Sequence, residues 1–335
     1  MKPVDPEPFV RGVLPSLSWP EGSRLPETAL RKLPVDTVRA ARVPAGVHLA
    51  LIGSASAVRL DVRVGERTSV PAPTAAEAFV VRTPDVVTRV HLPDDFGTVE
   101  IPLPPSDPDQ PVRIYLPEFV EITIDAITAV GGDIAPALRG PRWVVYGDSI
   151  SQGWSVAEAG SAWPSLVADS LGLDLVNLAF AGAARGEILA ADAVAGSGAA
   201  AVAIAWGTNA WSSLPTDAAQ IAETMRLFLT AVRQGLPDAP IVVVSPIVRP
   251  DAETTRNRFG ATLSDLRGAL ETAVHRFATS TGDVRTTLVP GLDLVPAAEL
   301  VDGIHPGDAG HRSLAAGVTS QVAAGLELLA ENRRQ

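Results

Sequence analysis

Five residues in this chain have the types and order needed for acyl transfer at a serine: Ser149, Gly182, Asn209, Asp302 and His305. That chemistry needs an exposed hydroxyl, an imidazole to take its proton, an acid to hold the imidazole tautomer, and donors for the developing oxyanion. Ser149 follows Gly147-Asp148 at the end of the apolar run Trp143-Val144-Val145-Tyr146. His305 can act as the base. Asp302, three residues before it on a loop, is close enough to accept its Nδ1–H. Gly182 has no side chain to keep a backbone N–H from a developing oxyanion, and the Asn209 amide can donate as well.

These residues need a scaffold that brings them together. From about residue 142 onward, short apolar runs alternate with helical patterns: strands are expected at 142–146, 175–178, 201–206, 240–246 and 286–289. Between and after them, helices are expected from Trp163 to Leu171, from about Thr216 to Gln234, along Phe259, Leu263, Leu266, Leu270, Val274 and Phe277, and from Ala309 to Ala330. Such alternation implies a parallel sheet covered on both faces. In open α/β sheets ligands sit at the carboxyl edge, and the Gly147–Ser149, Asn177–Gly182 and Trp206–Asn209 blocks all follow predicted strands. The expected fold is therefore α/β, a flavodoxin-like domain with a five-stranded parallel sheet over residues 141–335.

Residues 31–135 have a different texture. Val58 to Val64 alternates apolar and polar residues without a break, and further β-type runs begin near Ala78, Val86, Thr98, Val112 and Glu121. Short strands at regular spacing predict a small all-β sandwich, jelly-roll-like, with β texture from about Leu33 to Val130. Residues 1–30, rich in Pro and Glu, read as an N-terminal arm, and Gly131 to Pro141 as the boundary between the two domains.

Composition removes several function classes. The chain has 335 residues and a net charge of −11, which argues against nucleic-acid or anionic-membrane partners. The absence of cysteine excludes disulfides, thiolate metal sites and cysteine nucleophiles. No cofactor is expected, and no metal, because no further His or acidic cluster completes a ligand set around Asp302 and His305. The N-terminus has no apolar signal-peptide core and no run approaches a membrane span, so a cytoplasmic location is expected. Ser151 stands where a G-x-S-x-G nucleophile elbow needs glycine. Among the other histidines, His311 reads as helix surface, and His48, His91 and His275 as structural. Trp154 and Trp211 are candidates for the substrate pocket.

The blocks resemble the GDSL or SGNH hydrolase family, whose invariant Ser, Gly, Asn and His correspond to Ser149, Gly182, Asn209 and His305, with Asp302 from the Asp-x-x-His block. The resemblance covers roughly residues 142–330. Ala210 departs from the family's frequent Asp after the Asn, which puts the wiring around the site in question more than the activity. The preceding sandwich, Ser245 to Glu253 and Ala162-Trp163-Pro164 resemble a subgroup that includes a salicylyl acyltransferase of polyketide tailoring, and two-domain carbohydrate esterases share the layout. The resemblance implies a serine esterase or acylhydrolase with Ser149, Gly182 and Asn209 as oxyanion donors and a small-molecule ester or acylated carbohydrate as substrate. An acyltransferase and an inert carbohydrate-binding protein are the alternatives, and the sandwich is expected either to bind carbohydrate or to cover the pocket.

Overall fold

The computed structural model describes residues 2–19, 22–67, 77–83, 86–105, 107 and 109–332. Its first half is antiparallel: β1 (Val10–Arg11), β2 (His48–Gly53), β3 (Ala57–Arg67), β4 (Ala78–Arg82), β5 (Val87–His91), β6 (Phe96–Pro102), β7 (Val112–Tyr115), β8 (Val120–Val130) and β9 (Ile134–Pro136). One sheet runs β1-β2-β7-β4-β5, with β9 also on β2; the other runs β6-β3-β8. Alternation along β3 sends Val58, Leu60 and Val62 into the space between the sheets, where they join Leu49, Phe79, Ile101, Ile114 and Ile127. Its outward Arg59 and Arg63 pair with Glu100 and Asp125 across the strand surface, where ion pairs stabilise little.

The second half carries five parallel strands: β10 (Arg142–Gly147), β11 (Asp174–Ala179), β12 (Ala201–Ala205), β13 (Ile241–Val244) and β14 (Thr286–Val289). Their order, β11-β10-β12-β13-β14, is the flavodoxin-like arrangement. Successive residues of β10 serve opposite faces. Val144 and Tyr146 pack with Met225 and Phe228, whereas Trp143 and Val145 pack with Trp163, Val318 and Val322. The first face is covered by α5 (Ile188–Ala195), α6 (Ala218–Gly235) and α7 (Leu263–Thr281), the second by α4 (Trp163–Leu171) and α8 (Asp308–Asn332). Gly147 lies opposite both Ala179 and Ala205, so three strands end at one level and their loops meet.

Several expectations are corrected here. Residues 35–42 form helix α2 (Val35–Arg42), preceded by the short α1 (Glu27–Leu30), instead of continuing the β texture. Leu14, Leu25, Leu30 and Ala41 join the α/β core, so the N-terminal segment packs against the second half of the chain as well as the sandwich. The buried Arg24 fastens it, donating to the carbonyls of Val43, Ala40 and Asn177. Helix α7 starts at Leu263, where Thr262 and Asp265 form a reciprocal capping box, which leaves Phe259 outside the helix and exposed. Helix α8 does reach the length and apolar composition of a membrane span, and it packs Leu314, Val318 and Val322 against the sheet.

Candidate active site

Strand β10 has room only for glycine at its last position, Gly147, because a Cβ there would lie 2.3 Å from Ser151 Oγ and 2.7 Å from the Ala205 carbonyl oxygen. Asp148 then caps α3 (Ser149–Gln152) by accepting the Ile150 N–H at 3.1 Å. Burial pushes the Asp148 carboxyl up to about 6, opposed by backbone N–H groups of Ile150, Gly207 and Thr208. Asp148 thus ties the Ser149 loop to the Asn209 loop. This carboxylate holds geometry.

Ser149 Oγ lies 2.8 Å from His305 Nε2, and His305 Nδ1 lies 2.7 Å from Asp302 Oδ2. The other Asp302 oxygen accepts the N–H groups of Ile304 and His305 at 3.0 and 2.8 Å, so Asp302 organises the loop that carries His305. Burial lowers the His305 pKa below its usual 6.5; Asp302 opposes this and Arg249 adds to it. Asp302 itself is held below the usual carboxylate range: burial would raise it, but the bonds from His305 and Ile304 outweigh that. A neutral imidazole bonded to both the hydroxyl and the carboxylate can take the hydroxyl proton during attack on a carbonyl.

Gly182 sits in the turn after β11 at φ +70, a conformation that favours glycine. Gln152 Oε1 accepts the N–H of neighbouring Ala181 at 2.8 Å, which binds this turn to α3. Asn209 occupies a 3-10 turn after Gly207, where a Cβ would fall 2.7 Å from Pro246 Cγ. Its Nδ2 is buried without a hydrogen-bond partner among the described residues. A buried donor left unpaired costs free energy unless something fills the place. Ser149, Gly182, Asn209 and His305 all line one cleft of about 400 Å³.

Trp154 lines this cleft too, its ring 5.7 Å from the His305 ring and edge-on to Phe119 at 5.2 Å. Trp211 is not among the lining side chains. It gives its Nε1–H to the Thr255 carbonyl at 2.8 Å and lies 4.8 Å beneath the Arg249 guanidinium, which does line the cleft. His311 is fully buried, contrary to a helix-surface reading. Its Nδ1 accepts the Trp163 N–H at 3.1 Å, and burial lowers its pKa to about 4. His48 is buried against Tyr115, whereas His91 and His275 are exposed and hold up no core. Among the described residues, no group of three or more His, Asp or Glu could hold a metal ion.

The chain's first half supplies the opposite wall: Asp36, Arg39, Ala40 and Val43 from α2 and its end, and Glu66, Arg67 and Glu121 from the sandwich. Sequence reasoning gave none of these a place at the site, nor Arg249, Ser212 or Gln152. The run Ser245 to Glu253 drew attention only as a likeness, with no role for its arginine. Helix α2 is latched to the loop after β11 by Thr37 on Glu187, at 3.2 Å, and by Asp36 on Arg185.

Residues 145–313 match the model of the GDSL-like lipase/acylhydrolase family. No curated protein matches the chain by sequence. Among solved structures, the chain is similar to the salicylyl-acyltransferase SsfX3 from a tetracycline biosynthetic pathway, with a TM-score of 0.82, 21% identity, and 96% of this chain and 97% of that one covered. A family two carbohydrate esterase from Clostridium thermocellum, in complex with cellohexaose, gives a TM-score of 0.63 at 15% identity over 84% of this chain and 92% of that one. An acetyl xylan esterase from the rumen bacterium Butyrivibrio proteoclasticus gives 0.58 at 15% identity over 84% and 90%. At these identities the likenesses are of fold.

Proposed function

Since the chain belongs to the GDSL-like lipase/acylhydrolase family and is thereby an ester-acting enzyme, we propose that it is a serine esterase working through an acyl-enzyme on Ser149. The observation that carries this reading is the hydrogen-bonded series Ser149–His305–Asp302 at the wall of the cleft. Ser149 Oγ attacks the ester carbonyl as its proton passes to His305 Nε2. Asp302 stabilises the imidazolium that results. The oxyanion is met by the Ser149 and Gly182 N–H groups and by Asn209 Nδ2, whose lack of a partner in the resting protein supports the assignment. His305 returns the proton to the leaving alkoxide, which departs as the alcohol. Water, deprotonated by the same imidazole, then attacks the acyl-enzyme and releases the acid and free Ser149.

A second reading replaces that water with an acceptor alcohol, making the protein an acyltransferase. It is favoured by the likeness to SsfX3 along almost the whole chain. The wall from α2 and the sandwich also supports it, since covering an acyl-enzyme limits its hydrolysis. The substrate class is a small-molecule ester or an acylated carbohydrate, the latter being what the esterase neighbours suggest. The same wall supports a covering role for the sandwich over one of independent carbohydrate binding.

Ser149→Ala tests the mechanism. The variant should lose turnover of a short-chain aryl ester and labelling by a serine-directed phosphonate while keeping the wild-type melting temperature. Wild-type hydrolysis by this variant would remove Ser149 from the mechanism. Adding acceptor alcohols and following transfer against hydrolysis separates the two readings.

A further inference from the structure

Arg249 is 6% exposed and lines the Ser149 cleft. A guanidinium has five N–H donors. The bonds within the protein are Nε to Asp251 at 3.0 Å, Nη2 to Asp251 at 3.2 Å and Nη1 to Ser212 Oγ at 3.1 Å. Two donors therefore have no acceptor among the described residues, on a group taken almost wholly out of water. Ser212 Oγ accepts from Arg249, which leaves its own hydroxyl hydrogen free to donate, and Ser212 also lines the cleft. This stretch of wall, with Asn209 beside it, is built from donors.

The mounting is rigid. Trp211 supports one face of the guanidinium, and the Arg249 N–H donates to Glu253 at 3.0 Å. Glu253 is paired with the buried Arg267, which in turn holds the carbonyls of Pro246 and Ile247. An ion pair serving stability alone has no need of a place beside the base, where its cation disfavours the imidazolium.

We propose that Arg249 and Ser212 form a substrate subsite that binds an acceptor oxygen next to the scissile ester. The ligand class is esters bearing an ether, hydroxyl or carbonyl oxygen a few bonds from the reacting carbon. Because Asp251 already balances the cation, the subsite reads an oxygen lone pair more than a net negative charge. The proposal rests on the Ser149 mechanism, since it places the subsite relative to that nucleophile.

The test compares isosteric esters that differ by one oxygen. On the acyl side, aryl methoxyacetate is set against aryl butyrate; on the alcohol side, 2-methoxyethyl acetate against butyl acetate. Each kcat/KM ratio is divided by the ratio of hydroxide-catalysed rates, which removes intrinsic reactivity. Wild type should prefer the oxygen-bearing member of one pair by roughly 10- to 150-fold, as expected for a hydrogen bond to a charged donor, and the responding pair identifies the side bound. Arg249→Met should bring that ratio close to one. Arg249→Lys, which keeps a cation over Trp211, guards against misfolding and should retain only part of the preference, as should Ser212→Ala. Unchanged ratios in Arg249→Lys and Ser212→Ala, or no preference in wild type for either pair, would overturn the subsite. Failure of the Ser149 mechanism would show separately, as turnover by Ser149→Ala.

Discussion

Replacing Asn209 by alanine separates function from stability. The side chain is almost entirely buried, and its Nδ2 has no partner among the described residues. The resting protein thus carries the desolvation cost of an unpaired amide, typically about 1–3 kcal/mol. Alanine removes that cost and introduces a small void, two effects of opposite sign, so the melting temperature should move by no more than a few degrees. On the proposed mechanism the same amide meets the oxyanion in the transition state, and losing one such donor costs about 2.7–4 kcal/mol, or 10²- to 10³-fold in kcat. Because the bond forms only as charge develops, kcat and kcat/KM should fall together with KM little changed. Steady-state kinetics on an aryl ester, paired with thermal melts, reads both quantities. Asn209→Asp, similar in size but acceptor-only when ionised, should be at least as slow. A kcat within threefold of wild type would refute the oxyanion role. So would a loss of activity that merely tracks a large fall in melting temperature, which would make Asn209 a structural bridge.

Three further outcomes follow from the proposed base and its surroundings. The His305 pKa is depressed by burial, and the imidazole must be neutral to act, so kcat/KM should fall on the acid side with a midpoint below 6.5. Asp302 raises that pKa; Asp302→Asn should therefore move the acid limb to still lower pH and reduce the plateau by about 10⁴-fold. A limb displaced to higher pH contradicts the geometry. Phe119, from the sandwich, backs Trp154 against the His305 ring. Phe119→Ala should destabilise by about 3–5 kcal/mol and, by letting water reach the imidazole, shift the acid limb upward toward 6.5. Phe119→Tyr should restore the limb, and a folded Phe119→Ala with an unmoved limb would show that the stack does not reach the base.

What could be read along the chain was whatever depends on neighbours in sequence. The apolar runs of β10 to β14 and the stripes of α4 and α6 repeat at their own periods, and a parallel sheet places the loops after its strands along one edge. Ser149, Gly182 and Asn209 stand on such loops, so their gathering followed from the alternation alone, and Asp302 needs only three residues to reach His305. Helix α2 escaped notice because it is one short element beside many strands, flanked by Pro34 and Pro44, and its apolar face is completed by α/β core residues about 140 positions later. His311 occupies a helical position whose burial depends on α4 packing over it, which no local period records. Arg249 looked like one more loop arginine until folding set Trp211 beneath it, Asp251 and Ser212 on its edges and the Ser149 cleft in front of it. The sequence by itself determined which groups could carry out the chemistry and on which edge of the sheet they stand. Only the tertiary structure decided what encloses them, because burial and pKa depend on surfaces supplied by parts of the chain that are remote in sequence.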